Sequence, residues 1–196
     1  MVKSNTIPGL PDCEYVLGSA SPRRRQLLGG LGIEFKQISI DADESFSADM
    51  PINEVAEHLA VRKSNVYANL QPNELLITAD TVVILGDAII NKPEDEDAAK
   101  SMIHRLSGEE HTVITGVCLR TLDKQHAFSE YTQVSFDPLP PEMVDFYVDT
   151  FKPLDKAGAY GIQEWIGYVG IKGIRGCYYN VMGLPLRSLY QALCAF

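Results

Sequence analysis

Long apolar runs are missing from this chain of 196 residues, and its sparse cysteines form no motif. No segment approaches the roughly 18 consecutive apolar residues needed to cross a bilayer, so a membrane span is not expected. The opening MVKSNTIPGLPDCEY has a lysine but no apolar segment behind it. A secretory signal is therefore not expected, and residues 1–13 read as a polar lead-in. The four cysteines, Cys13, Cys118, Cys177 and Cys194, stand far apart with no C-x-x-C pair. That spacing argues against a structural zinc site or a dithiol redox motif and suits reduced thiols in the cytoplasm. The four histidines make no H-E-x-x-H pattern either. Basic residues are few: 17 Lys and Arg against 26 Asp and Glu, a formal net charge of −9. A protein that coats nucleic acid needs a basic face, so nucleic acid is not an expected partner. A phosphate-bearing small molecule stays open, because a few local cations are enough for a pocket. Internal repeats and low-complexity stretches are absent.

What is present is a chain long enough, and at 45% hydrophobic residues apolar enough, to bury one good-sized core. Length predicts one domain over 1–196. Glu14 to Gly18 reads as a short buried strand, followed by a helix from Pro22 that the glycines at 29, 30 and 32 end. Phe35 to Ile40 is a second strand. Pro51 to Tyr67 is an amphipathic helix, with residues 52, 55, 56, 59, 66 and 67 on its apolar face. Leu75 to Leu85 is a long strand-like run, and Gly86-Asp87 a two-residue turn of the type II′ kind that returns Ala88 to Ile90 beside it. A helix over Asp95 to Leu106, strands over His111 to Arg120 and Phe128 to Phe136, a helix from Pro140-Pro141 to Val148 and a closing helix over Pro185 to Ala195 complete the expectation. Strands and helices alternate early and strands cluster later, which predicts a mixed α/β sheet flanked by helices.

Chemistry is suggested at five places. In Gly18-Ser19-Ala20-Ser21-Pro22-Arg23-Arg24-Arg25 a strand runs into small residues, with Ser21 a natural N-cap and Pro22 suited to the first helical position. Arginines in a first turn oppose the helix dipole, so either an anion is expected there or the face is simply solvated. Lys63 breaks the apolar face of the second helix; it either snorkels to solvent or projects into a cleft beside that helix. Asp80 and Thr81 interrupt the apolar run of the long strand, and a carboxylate buried there costs several kcal/mol unless a cation, metal or hydrogen bond compensates. Hairpin pairing through Gly86-Asp87 places Lys92 across from Thr81, beside Asp80, although strict alternation puts Asp80 on the other face. The acidic end of ISIDADESF offers Asp41, Asp43 and Glu44 as oxygen ligands for a hard divalent cation, or as an ordinary solvated loop. Finally, DKAGAYGIQ, residues 155–163, is too rich in small residues for a helix and can pass close to a ligand or merely turn. A helix terminus with arginines, two lysines and several carboxylates is an inventory for positioning phosphate and for metal-assisted attack by water.

Five segments in order, LGSASPRRRQLL, TADTVVILGDAIINKP, HRLSGEEHTVITGV, LDKAGAYGIQ and NVMGLPL, resemble the Maf family of nucleotide pyrophosphatases, over nearly the whole chain from Val16 to Leu193. The resemblance implies a fold similar to the inosine triphosphate pyrophosphatases, with two lobes around a deep cleft and a homodimer. It implies hydrolysis between the α and β phosphates of a nucleoside triphosphate with Mg²⁺ or Mn²⁺. By position, it gives Ser19, Arg24, Lys63 and Lys92 to phosphate binding, Asp80 to catalysis, and Glu44 with Asp80 to the metal. Arg23, Thr81 and Gln163 match the branch acting on dTTP and UTP. The chain departs from the family pattern at Thr78, where Gly is frequent, and at Glu164-Trp165 after Gln163, where Gly is usual. Two other functions are open at this stage: a phosphatase using Asp41 as nucleophile, since Asp41-x-Asp43 follows a strand, and a nucleotide-binding regulator of septum formation without turnover.

Overall fold

A computed structural model describes residues 7–196. Among the described residues, seven strands form one mixed sheet in the order β2-β1-β3-β5-β6-β7, with β4 also paired to β3. The strands are β1 (Glu14–Gly18), β2 (Phe35–Ile38), β3 (Glu74–Leu85), β4 (Ala88–Ile90), β5 (Glu110–Arg120), β6 (Gln125–Phe136) and β7 (Ile171–Arg175). The helices are α1 (Pro22–Gly30), α2 (Val55–Val66), α3 (Glu96–Leu106), α4 (Pro141–Phe151), α5 (Trp165–Gly170), α6 (Tyr178–Val181) and α7 (Leu186–Ala195). The expected mixed α/β class is thus the observed one. The polar lead-in is described from Ile7 onward, residues 1–6 lying outside the described residues; Ile7, Leu10 and Cys13 pack against the core under α1 and α7.

The long strand β3 organises everything else. On one edge it pairs with β5 without interruption from Leu76 to Ile84. On the other edge β1 runs parallel to Glu74–Ile77, and β4 runs antiparallel to Val83–Leu85. Residues 78–82 have no strand beside them on that edge. This gap between two neighbours of one strand is where the cleft opens.

Alternation along β3 sorts its side chains onto two faces. Leu75, Ile77 and Ala79 join the core beneath α1 and α7, and Val83, on the same face, joins a second core built with α3, α4 and residues 159–166. Thr81 lies between these two cores, and Met182 touches both. The other face carries Val82 and Ile84 under Val55, Ala56 and Leu59 of α2. Two apolar bodies flanking one open stretch of strand give the cleft its walls.

Local rules account for the element ends. The Ser21 hydroxyl accepts the Arg24 N–H, with Pro22 opening α1. Asp95 caps α3 through the Ala98 N–H, with Glu96 and Asp97 in its first turn and His104 and Arg105 in its last, as the dipole favours. Gly86 has φ +59° while Asp87 does not, which matches the expected turn. Helix α2 begins later than expected, after a 3-10 turn at Ile52–Glu54, and ends with Val66 exposed. Helix α4 runs past Val148 to Phe151, which stacks on Tyr147. The stretch 165–181 holds three short elements that periodicity does not reveal.

Candidate active site

The cleft encloses about 620 Å³ and is lined from both faces of the sheet. Its floor is the open edge of β3, its walls the Gly18–Arg24 loop and helix start, Glu44 and Lys63, Asn91 and Lys92, and the 155–163 loop. Ser19, Arg23, Arg24, Glu44, Lys63, Asp80, Thr81, Lys92 and Gln163, distant in sequence, all line it.

Asp80 points to the α2 side. The Lys63 ammonium bridges it to Glu44, donating to Glu44 Oε1 at 2.8 Å and to Asp80 Oδ1 in a closer contact. The Lys63 and Asp80 side chains are each only 13% exposed, whereas Glu44 is 52% exposed. The lysine therefore enters the cleft rather than snorkelling away. Its hydrogen bond, helped by the charges of Lys92 and Arg24, outweighs burial and holds the Glu44 carboxyl below its usual range.

Thr81 points to the opposite face, toward Arg24. The Arg24 guanidinium is fixed at three points: Nε donates to the Gly183 carbonyl at 2.8 Å, Nη2 to the Thr81 hydroxyl at 3.0 Å and Nη1 to the Ser19 hydroxyl at 3.4 Å. Burial pulls the Arg24 guanidinium below its usual value, while Asp80 and Glu44 pull the other way. Behind it, Thr81 Oγ1 meets Thr115 Oγ1 at 2.9 Å, and Thr115 donates to the Asn180 carbonyl. The arrangement pre-sets a planar, multi-donor cation beside the N-terminus of α1, at the spot where a phosphate would sit. No acidic residue occupies that first turn.

Lys92 corrects one expectation. The hairpin ladder stops at Val83 and Ile90, so Lys92 is not a ladder partner of Thr81. It reaches the cleft from the loop after β4 and pairs with no carboxylate among the described residues. Asp80 and Thr81 both face the cleft although they lie on opposite faces, because the cleft cuts across the free edge of the strand.

Arg23 turns across the cleft to Asp155, Nη1 to Oδ2 at 2.6 Å. Burial opposes ionisation of Asp155, but the Lys156 and Arg23 hydrogen bonds prevail and its carboxyl lies below the usual range. The Gln163 amide makes no side-chain hydrogen bond among the described residues and is free to meet a ligand. Asp155, Lys156, Thr115, Asn180 and Gly183 are functional neighbours that sequence reasoning did not assign. Asp155 and Lys156 open the small-residue stretch 155–163, whose composition was the available signal.

Asp41 and Asp43 stay outside the cleft. Asp43 is instead tied to Ser45 and, at 3.0 Å, to Arg62. The phospho-aspartate alternative thus finds its nucleophile outside the lining of the cleft. Of the two departures, Thr78 is buried and donates to the Ala60 carbonyl at 2.7 Å, fastening β3 to α2. Glu164 folds beneath the 155–163 loop onto Lys156 and Tyr147, and Trp165 packs edge-on against Phe146.

For a metal, the donors to consider are Glu44 and Asp80, hard carboxylate oxygens joined by one ammonium. No group of three or more His, Cys, Asp or Glu side chains able to hold an ion occurs among the described residues. Two carboxylates suit Mg²⁺, which takes one or two of them and completes its shell with water and substrate phosphate. The residues fit an ion that arrives with a nucleotide. No helix is long and apolar enough to cross a membrane among the described residues.

Comparison with known proteins bears on the whole chain. The sequence model for "Maf-like protein" matches residues 14–196. A Bacteroides thetaiotaomicron protein named dTTP/UTP pyrophosphatase is 47% identical over 92% of this chain and 94% of its own. Proteins of the same name from Phocaeicola vulgatus and Parabacteroides distasonis are 45% and 46% identical, over 95% and 97% of this chain and 98% and 100% of theirs. Among solved structures, the Staphylococcus aureus Ham1 protein matches 63% of this chain and 71% of its own at 13% identity, with a TM-score of 0.44, too slight a likeness to build on. By its sequence from residue 14 to its last residue, the chain belongs to the Maf family.

Proposed function

We propose that this chain hydrolyses dTTP and UTP to the nucleoside monophosphate and pyrophosphate. The observation that carries the reading is Asp80: a carboxylate on the unpaired stretch of β3, bound to Lys63 and facing a wall of cations. The name shared by the relatives supports the same substrates.

The chemistry follows from the geometry. Arg24, Ser19 and Lys92 take the phosphate oxygens, at the positive end of the α1 dipole. Asp80 accepts a proton from the water that attacks the α-phosphorus, and pyrophosphate leaves as the phosphorus–oxygen bond to the β-phosphate breaks. Lys63 keeps Asp80 and Glu44 in fixed positions and offsets charge as it gathers on the leaving oxygens. Glu44 and Asp80 would hold a divalent ion, which when bound neutralises phosphate charge and makes a water more acidic. Arg23 and Gln163 reach the side of the cleft left for the base, where a carbonyl-and-imide edge suits a guanidinium and an amide. Thr81 acts there mainly by fixing Arg24. The reading includes a cytoplasmic setting and a homodimer, with neither membrane nor nucleic acid as partner.

The test is pyrophosphate release from a panel of the common triphosphates, with wild type and Asp80→Asn. dTTP and UTP should give the highest kcat/KM, and purines should be poor. Asp80→Asn should lower kcat by about a hundred- to ten-thousand-fold, the span of general acid–base contributions, without loss of Tm. Orthophosphate as first product, a purine at the top, or a fully active Asp80→Asn would overturn the assignment.

A further inference from the structure

Beneath the Gln163 side of the cleft lies a row of charges of which the proposed reaction uses only Arg23. Arg23 Nη1 meets Asp155 Oδ2 at 2.6 Å, and Lys156 Nζ meets the other oxygen, Oδ1, at 2.7 Å. The same ammonium meets Glu164 Oε1 at 3.1 Å. Glu164 Oε2 accepts from the Tyr147 hydroxyl, whose oxygen accepts the Gly161 N–H at 3.0 Å. Every carboxylate oxygen in the row has its own partner, and the row runs unbroken from Arg23 to the backbone two residues before Gln163. Lys156 is 9% exposed and Glu164 20%. Lys156 keeps Asp155 as a partner if Glu164 is lost, so losing the Glu164 charge cuts the row between Lys156 and Tyr147 without stranding the ammonium.

We propose that Glu164 is a positioning residue for base recognition: through Lys156 and Tyr147 it fixes the Gly161–Gln163 rim relative to Arg23 and so sets the choice of uracil over cytosine. The proposal rests on the reading that Arg23 and Gln163 face the base. Uracil presents O4 and N3–H where cytosine presents an amino group and a bare N3. An amide can meet either pattern, because a half-turn exchanges its oxygen and nitrogen. Arg23 can only donate. Discrimination therefore depends on where the amide stands relative to that fixed donor, which is what the row of charges settles. A rim released from Glu164 would let Gln163 adapt to either base while Ser19, Arg24, Lys63 and Lys92 capture phosphate as before. Those four side chains make no hydrogen bond or ion pair with Glu164, Lys156 or Tyr147 among the described residues.

The experiment measures kcat and KM for UTP and CTP in wild type, Glu164→Gln and Tyr147→Phe. Glu164→Gln keeps the size and an acceptor for Tyr147 but removes the charge opposite Lys156. Tyr147→Phe removes only the hydroxyl and keeps the ring stacked on Phe151, so it serves where the first variant folds poorly. Both should reduce the UTP-to-CTP ratio of kcat/KM by about tenfold, the loss expected for one hydrogen bond's worth of discrimination. The change should lie in the KM for UTP, with kcat for CTP within about threefold of wild type. A ratio unchanged in both variants overturns the proposal, and so does an equal loss on the two nucleotides, which marks a merely structural role. A wild type that releases pyrophosphate without preferring UTP overturns the base reading of Arg23 and Gln163 and this inference with it; a wild-type preference that survives both variants overturns this inference alone.

Discussion

His111 is buried to 2% exposure between Phe136 and Tyr160, with Nε2 at 2.7 Å from the Tyr160 hydroxyl and Nδ1 without a hydrogen-bond partner among the described residues. Burial pulls its pKa down from 6.5 to about 4. Because the folded value is the lower one, the unfolded chain takes up the proton first as pH falls. Stability is thus fully present above 6.5 and is lost between 6.5 and 4, by roughly 3 kcal/mol in all. Most carboxylates titrate below about pH 5, so the interval from 6.5 to 5 isolates the histidine. Urea unfolding across that interval should show wild type losing roughly 1.5 kcal/mol more than His111→Gln, which keeps a polar partner for Tyr160 but does not titrate. Parallel pH profiles for the two proteins would show that the imidazole is not kept neutral by burial. At the same scale, Asp80 and Lys63 stood out in the sequence because each breaks an apolar pattern, and breaking a pattern inside a core has a physical cost that needs a reason. Asp155, Lys156 and Glu164 break none. The small residues of 155–163 marked the loop as able to approach a ligand or merely turn, but the pairing of these three charges comes only from folding.

At the scale of elements, the close approach of α2 to β5 decides where Lys63 stands. Gly116 lies directly across from Asp80 in the β3–β5 ladder. A Cβ built on it would come within 2.3 Å of the Ala56 carbonyl and the Glu57 nitrogen, so helix backbone rests on strand backbone there. Gly116→Ala must push α2 outward, at a cost of about 1–3 kcal/mol for overpacking. Since α2 carries Lys63, the shift should also lower turnover, by up to about a hundredfold for a displacement near 1 Å. Thermal melting and kcat measured together decide it: a lower Tm with unchanged kcat would mean that Lys63 adjusts independently of its helix. Periodicity revealed α2, α3 and β3 because their apolar faces are long. It did not reveal α5, β7 and α6, which span six, five and four residues. Nearly all of β7 is exposed, so no alternation marks it, and only contact with β6 makes it a strand.

At the scale of the molecule, the charges are arranged against the overall balance. The chain carries −9, yet the cleft is lined by Arg23, Arg24, Lys63, Lys92 and Lys156 against Glu44, Asp80 and Asp155. The cluster could not be read from composition, because it is assembled from six separate places in the sequence brought to one gap in the sheet. Its cations are also largely committed: Arg23 and Lys156 to Asp155, and Lys63 to Asp80 and Glu44. That leaves Arg24 and Lys92 as the side-chain cations not tied to a carboxylate in the cleft among the described residues. Two unit charges are too few for a triphosphate, which brings about four negative charges, next to two carboxylates. A divalent ion entering with the nucleotide would resolve the imbalance, with Glu44 and Asp80 as the oxygens proposed to receive it. Turnover of UTP should therefore fall at least about a hundredfold in excess EDTA and return with Mg²⁺ or Mn²⁺. Calorimetry gives a readout apart from turnover: Glu44→Gln should weaken binding of Mn²⁺ in the presence of UMP and pyrophosphate, while Asp43→Asn, whose partners are Ser45 and Arg62, should not. Full activity in EDTA would mean that Lys63 alone offsets the charge on the phosphates, and that the ammonium joining the two carboxylates stays in place throughout the reaction.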